Sequence, residues 1–243
     1  MKIQTRIRQF ALAGAVAASL GVAGFASAGT LSPTGWANGY EVFNITFTGT
    51  PGSAFGVDAG IFTGTQNGLF PPPGDQPILF LCYELDQYFS FGGGPYTYTP
   101  TTVLPPAADL ALSELFSDVG GLAAAVASSN NPDLSAAIQL AVWEIKYDTG
   151  NGPYNLGAGN FQVVVGNATP AAVSLAQSLL DNLAPKNPPF GAVWLQSPTT
   201  QDFVTDRPLP PDRVPEPSPL PLLGAGLAAL GLMVYRRKGG TQV

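Results

Sequence analysis

The chain of 243 residues has no histidine and a single cysteine, Cys82. Without histidine there is no Ser-His-Asp or Cys-His catalysis, and the commonest zinc ligand is missing. One cysteine excludes a disulfide within the chain and leaves either a buried thiol, a reactive thiol or a link between molecules. Positive charge is also scarce: 10 Lys and Arg stand against 16 Asp and Glu. Six of the ten basic residues crowd the two ends, as Lys2, Arg6 and Arg8 and as Arg236, Arg237 and Lys238. Between them only Lys146, Lys186, Arg207 and Arg213 face all 16 acidic residues, a net charge of −12 for that stretch. A surface of this sign does not bind nucleic acid, which needs basic patches. Neutral polymers, cationic surfaces and divalent ions are the expected partners. No GxGxxG or P-loop follows a strand pattern, so nucleotide-binding folds have no support.

What is present at the two ends reads as sorting information. Residues 1–28 combine a positive start, an Ala-rich apolar run from Phe10 to Phe25, and the small-residue cleavage pattern Ala26-Ser27-Ala28. They are expected to be a signal peptide, with Gly29 as the first mature residue. The other end carries Val214-Pro215-Glu216-Pro217, an apolar run over residues 220–235, and Arg236-Arg237-Lys238. This three-part tail resembles the PEP-CTERM signal of exopolysaccharide-producing Gram-negative bacteria. The resemblance implies an exosortase-type processing enzyme as a partner, cutting near the Pro-Glu-Pro motif, and transient residence in the inner membrane. The alternative is an ordinary single-pass anchor, although the run is short of the roughly 20 apolar residues of a usual span. In either case the basic cluster stays cytoplasmic.

The domain between the signals spans residues 29–206 and is followed by a Pro-rich linker over 207–219 and a hydrophobic helix with its basic tail over 220–243. Residues 40–47 alternate and are rich in β-branched and aromatic side chains, so they read as a strand. Residues 53–63 suggest another, residues 66–76 a Gly/Pro-rich loop, and residues 78–91 a long central strand. Residues 104–129 turn helical with a break at Gly120-Gly121. Asn131-Pro132-Asp133 signals a helix start, and that helix runs to Tyr147. A further helix is expected over residues 169–183, with Thr169 as its cap. Residues 192–195 and 201–204 suggest a closing hairpin. Strands, then helices, then strands argue for an α+β fold, an antiparallel β sandwich with an inserted helical block.

Two short motifs bear chemistry. Leu81-Cys82-Tyr83 lies in the expected central strand, and Ile138-Gln139-Leu140-Ala141-Val142-Trp143 opens the second expected helix. Together they resemble the thioester domains of bacterial surface adhesins. The resemblance implies Cys82 as thiol partner and Gln139 as acyl partner of an internal thioester, with Leu81, Tyr83 and Trp143 sheltering the pair. Such a bond is an acyl electrophile that an amine or hydroxyl on a surface ligand or exopolysaccharide can open. The alternative is an inert, buried Cys82 and a helix-surface Gln139 in a non-covalent matrix-binding module.

Other residues give weaker signals. Glu84 and Asp86 would share one face of the strand, a placement usable by a Ca²⁺ site or a glycosidase pair, with no third ligand in view. Tyr83, Tyr88, Phe89, Phe91, Tyr96 and Tyr98 could form a sugar-stacking ledge or simply pack across strands. The expected protein is an exported surface or matrix component, adhesive or structural rather than a turnover enzyme, with no cofactor, no metal and no nucleic-acid partner.

Overall fold

A computed structural model describes residues 28–48, 54–102, 104–128, 131–164, 170–183 and 188–208. Residues 1–27 of the expected signal peptide, Thr169, Val214, Pro215, Glu216, Pro217, the apolar run over 220–235 and Arg236, Arg237 and Lys238 lie outside the described residues. The described elements run β1 (Gly29–Trp36), β2 (Glu41–Phe47), β3 (Phe55–Ala59), β4 (Phe62–Asn67), β5 (Asp75–Cys82), β6 (Tyr96–Thr101), α1 (Pro106–Asp118), α2 (Leu122–Ser128), α3 (Pro132–Asp148), β7 (Phe161–Val163), α4 (Pro170–Asp181), β8 (Phe190–Gln196) and β9 (Phe203–Pro208).

The protein is mixed α and β with antiparallel pairing throughout, but the sheets do not form the expected sandwich. Six strands close into a barrel in the order β1-β4-β5-β9-β8-β6, and a separate three-stranded sheet has the order β3-β2-β7. Closure depends on β1 and β6, which prolines conceal in the sequence. Pro33 sits at a register irregularity of the β1–β4 pair, where a missing donor is tolerated. Pro100 lies beyond the overlap of β6 with β1, which covers only Gly29↔Tyr98 to Leu31↔Tyr96. The expected strand over 78–91 is also corrected: β5 ends at Cys82, and residues 83–91 have no regular structure.

The apolar stretch Pro106–Ser128 would be long enough to span a bilayer by length and composition. It is two helices instead, with Ala108, Ala111, Leu112, Leu115 and Phe116 of α1 buried in the core. The break is a glycine cap. Gly120 and Gly121 both take left-handed φ, +74° and +87°, and Gly121 N–H reaches back to the Phe116 carbonyl at 2.7 Å, the long reverse bond of a Schellman ending. A Cβ at Gly121 would meet Asp206 Oδ2 at 2.7 Å, so only glycine fits there. That carboxylate instead accepts the N–H of Leu122, the first residue of α2, at 2.9 Å.

Helix α3 is the centre of the molecule. Asn131 caps it by accepting the Asp133 N–H at 2.9 Å, with Pro132 in the first turn. Every residue from Ser135 to Ile145 is buried, as expected for a helix enclosed on all sides. It touches β2, β3 and β7 of the small sheet, β5 of the barrel, and the other three helices. The helix thus stands between the two sheets and can hold groups from both.

Candidate functional site

The pairing of β4 with β5 stops at Phe62↔Phe80, two residues before Cys82. On its other side β5 continues against β9, with Cys82 in register with Phe203 and Tyr83 N–H donating to the Asp202 carbonyl at 3.0 Å. Main-chain groups alternate in direction along a strand, so the N–H and C=O of Cys82 point to the bare side. Gln139 takes the place of the missing strand there. Its Oε1 accepts the Cys82 N–H at 2.9 Å, and its Nε2 donates to the Cys82 carbonyl at 2.8 Å. A carboxamide is chemically a peptide group, so it can complete a ladder from the side of a helix. Gln139 is fully buried and Cys82 nearly so. It lies in the middle of α3 rather than near its start.

Gln139 belongs to a stripe on one face of α3, set by the four-residue spacing of a helix. Ser135 Oγ accepts the Ile61 N–H at 2.7 Å, just before β4 begins. Trp143 stands one turn beyond Gln139 and lines a cleft together with Cys82. Tyr147 Oη accepts the Leu85 N–H at 2.9 Å. The helix thereby fastens the start of β4, the end of β5 and the irregular segment after it. Leu81 and Tyr83, the flanking residues, are both buried. Trp143 is buried too, and its indole Nε1–H has no hydrogen-bond partner, an unmet donor in the same part of the core.

The cleft has a volume of about 510 Å³, within the range of ligand sites. Phe62, Cys82, Leu85, Trp143 and Gln201 are its buried residues. An aromatic group borders it: Trp36 stacks on Phe62 at 4.2 Å between ring centroids, and Phe89 meets Phe62 edge-on at 5.1 Å. Of the six aromatics marked in the sequence, Tyr83 and Tyr98 are core, whereas Tyr88 and Phe91 are exposed beside the cleft. Trp36 and Phe62 were not anticipated there, because no strand pattern marked β1 and nothing local links it to residues 82–91.

Burial raises the Cys82 thiol well above its ordinary range, and the nearby Glu84 carboxylate adds to this. The thiol is therefore held protonated. Glu84 and Asp86 do not share a strand face, because β5 has already ended. Both border a second cavity with Lys146. Glu84 is raised by burial, against the Asp202 N–H that it accepts at 3.0 Å. Lys146 Nζ lies 4.6 Å from the Tyr83 ring centroid and 5.9 Å from that of Trp194, a cation–π setting that no sequence motif announced. Among the described residues no cluster of three His, Cys, Asp or Glu could hold a metal ion.

No family model and no curated protein matches the chain. Among solved structures it is similar to the N-terminal thioester domain of a surface protein from Clostridium perfringens, with 9% sequence identity, 75% of this chain and 100% of that chain covered, and a TM-score of 0.44.

Proposed function

We propose that this is an exported protein of the cell surface or extracellular matrix that forms an internal thioester between Cys82 and Gln139 and spends it once, on covalent attachment to a nucleophile. The observation that carries this reading is the double hydrogen bond of the Gln139 amide to the Cys82 main chain. It holds the Gln139 amide against the main chain of the residue that bears the thiol, which supports a reading in which the two side chains react. The Cys82 thiol adds to Gln139 Cδ, the Cδ–Nε2 bond breaks, and the thiol proton departs with the nitrogen as ammonia. Oε1 already accepts the Cys82 N–H, a donor placed for the developing oxyanion. An amine on a surface ligand or a hydroxyl on an exopolysaccharide then attacks Cδ, and Sγ leaves and regains a proton. The ester or amide product does not return to the starting amide, so the protein is not a turnover enzyme. Burial disfavours the Cys82 thiolate, and a step taken once per molecule does not need it to be abundant.

Export in this reading rests on the two terminal signals. The tail from Val214 to Lys238 would be processed by an exosortase-type enzyme after a transient hold in the inner membrane. The test is the intact mass of the purified mature protein. Thioester formation makes it lighter by one ammonia, and methylamine then adds covalently; an unreduced mass with no methylamine adduct overturns the thioester.

A second reading has its own observation. The same two hydrogen bonds pair the Gln139 amide with both main-chain groups of Cys82, as a purely structural strand substitute would. In that case the protein is a non-covalent matrix-binding module with an inert Cys82, and its mass is unreduced.

A further inference from the structure

The cleft beside Cys82 follows the free edge of β3. Among the described residues β3 is an outer strand of the small sheet, paired with β2 alone. Phe55, Gly56, Val57 and Asp58 all line the cleft. Successive side chains of a strand point to opposite faces, so a cavity that touches four in a row lies along the strand's edge and not over one face. Gly56 at the middle has no side chain, and a Cβ there would have no atom nearer than Asn44 Oδ1 at 3.9 Å. Another backbone can therefore come close. Five consecutive residues, 87–91, border the cleft as well, and they bring the Tyr88 ring, 79% exposed, and the Phe91 ring, 44% exposed.

Charge narrows the occupant. Among the described residues Asp58 is the one charged residue lining the cleft. The second cavity shares Phe55, Leu85 and Tyr88 with it and adds Glu84, Asp86 and Lys146. Three carboxylates thus face one ammonium along the two together. An unpaired edge offers a row of N–H and C=O groups spaced for another strand, a repeat that a sugar polymer does not match.

From this geometry we infer that the cleft is a strand-addition site for an extended, basic polypeptide segment of a partner protein. The segment's main chain adds to the β3 edge, as in other cases of strand addition. The aromatic rings of residues 88, 89 and 91 cover its side chains, and the carboxylates select Lys or Arg. Docking of this kind is non-covalent and needs no thioester, so it stands or falls apart from the function proposed above.

The experiment uses the full chain carrying Cys82→Ala, which removes any covalent route, after its melting curve has been compared with that of the parent. The probes are an octapeptide of alternating Lys and Val, the same peptide N-methylated at alternate amides, a Glu-Val octapeptide, and a chitosan oligomer as a cationic sugar. The Lys-Val peptide is expected to bind and to slow amide exchange at residues 55–58. N-methylation is expected to weaken it by about tenfold or more, the loss of a hydrogen bond or two. Asp58→Asn is expected to weaken it severalfold, and the Glu-Val peptide should not bind. Equal binding of the methylated peptide, protection confined to residues away from β3, or no binding at millimolar peptide would each overturn the inference. Protection of the cleft by chitosan but not by the Lys-Val peptide would assign it to a sugar and overturn it equally.

Discussion

Cys82 stands in register with Phe203 of β9, yet it turns its own N–H and carbonyl away from that strand, toward Gln139 of α3. One residue thus joins the barrel on one side and the central helix on the other. Its two partners play unequal parts, and this asymmetry can be measured.

Cys82→Ala removes the thiol but keeps the main-chain groups that Gln139 pairs with. It should abolish ammonia loss and methylamine capture while costing little stability, about 1 kcal/mol for a small buried side chain. Gln139→Ala should also abolish both, but it strands a buried N–H and a buried C=O, at a cost of about 2–4 kcal/mol. Chemical denaturation of the two variants, alongside their intact masses, checks the contrast. Equal destabilisation would mean that the amide pairing does not hold β5 to α3.

Stability should depend on pH through Glu144. It is fully buried on α3, accepts the Asn155 N–H through Oε1, and leaves Oε2 without a partner. Burial raises its carboxyl from 4.5 to about 7, with Asp148 adding to the shift and the Asn155 N–H opposing it. The folded state therefore favours the proton. That stabilisation is complete below pH 4.5 and is lost as the pH rises toward about 7. Burial also raises Glu41, Glu84, Asp109, Asp202 and Asp206, which act in the same sense. The melting temperature should fall between about pH 5 and pH 8. Glu144→Gln, which keeps the acceptor, should melt higher than the parent at the upper end and show a shallower fall.

Asp148 should be a sensitive polar residue outside the cleft. Its two carboxylate oxygens accept the N–H groups of Asn160 and Phe161, each at 2.7 Å, and so tie the end of α3 to β7. Asp148→Ala strands both donors, for a loss of about 3 kcal/mol or more. Asp148→Asn offers one oxygen in place of two and should lose roughly half as much. Urea titration of the pair orders them.

The terminal signals predict where the protein ends up. In the native host, fractionation with an antibody against the domain should find it outside the inner membrane, and its mass should lack Arg236, Arg237 and Lys238. A full-length chain held stably in the inner membrane would reject processing at the Pro-Glu-Pro motif.

Local signals were legible where they are strong. The cap at Asn131, the break at Gly120-Gly121 and the alternation over residues 40–47 each correspond to an observed feature. Cys82 and Gln139 are singled out by the resemblance that their flanking motifs carry, and the Gln139 amide does reach the Cys82 main chain. What could not be read was long-range. Pro33 and Pro100 suppress the strand pattern of β1 and β6, so barrel closure left no trace. The end of β5 at Cys82 is set by where β4 stops and where Gln139 intervenes, not by the sequence around it, which stays strand-like to Phe91. Trp36 joins the cleft wall, and Lys146 meets Tyr83 and Trp194, by tertiary packing alone.

The barrel draws its first strand from Gly29–Trp36 and its last from Phe203–Pro208, with the small sheet and every described helix threaded between them. This imposes an order in time. However early the helices form, β5 has no neighbour on its β9 side until the final strand arrives, and such distant pairing is slow. Until then the end of β5 is unpaired on that side, so the enclosure of Cys82 draws on the last described strand as well as on α3.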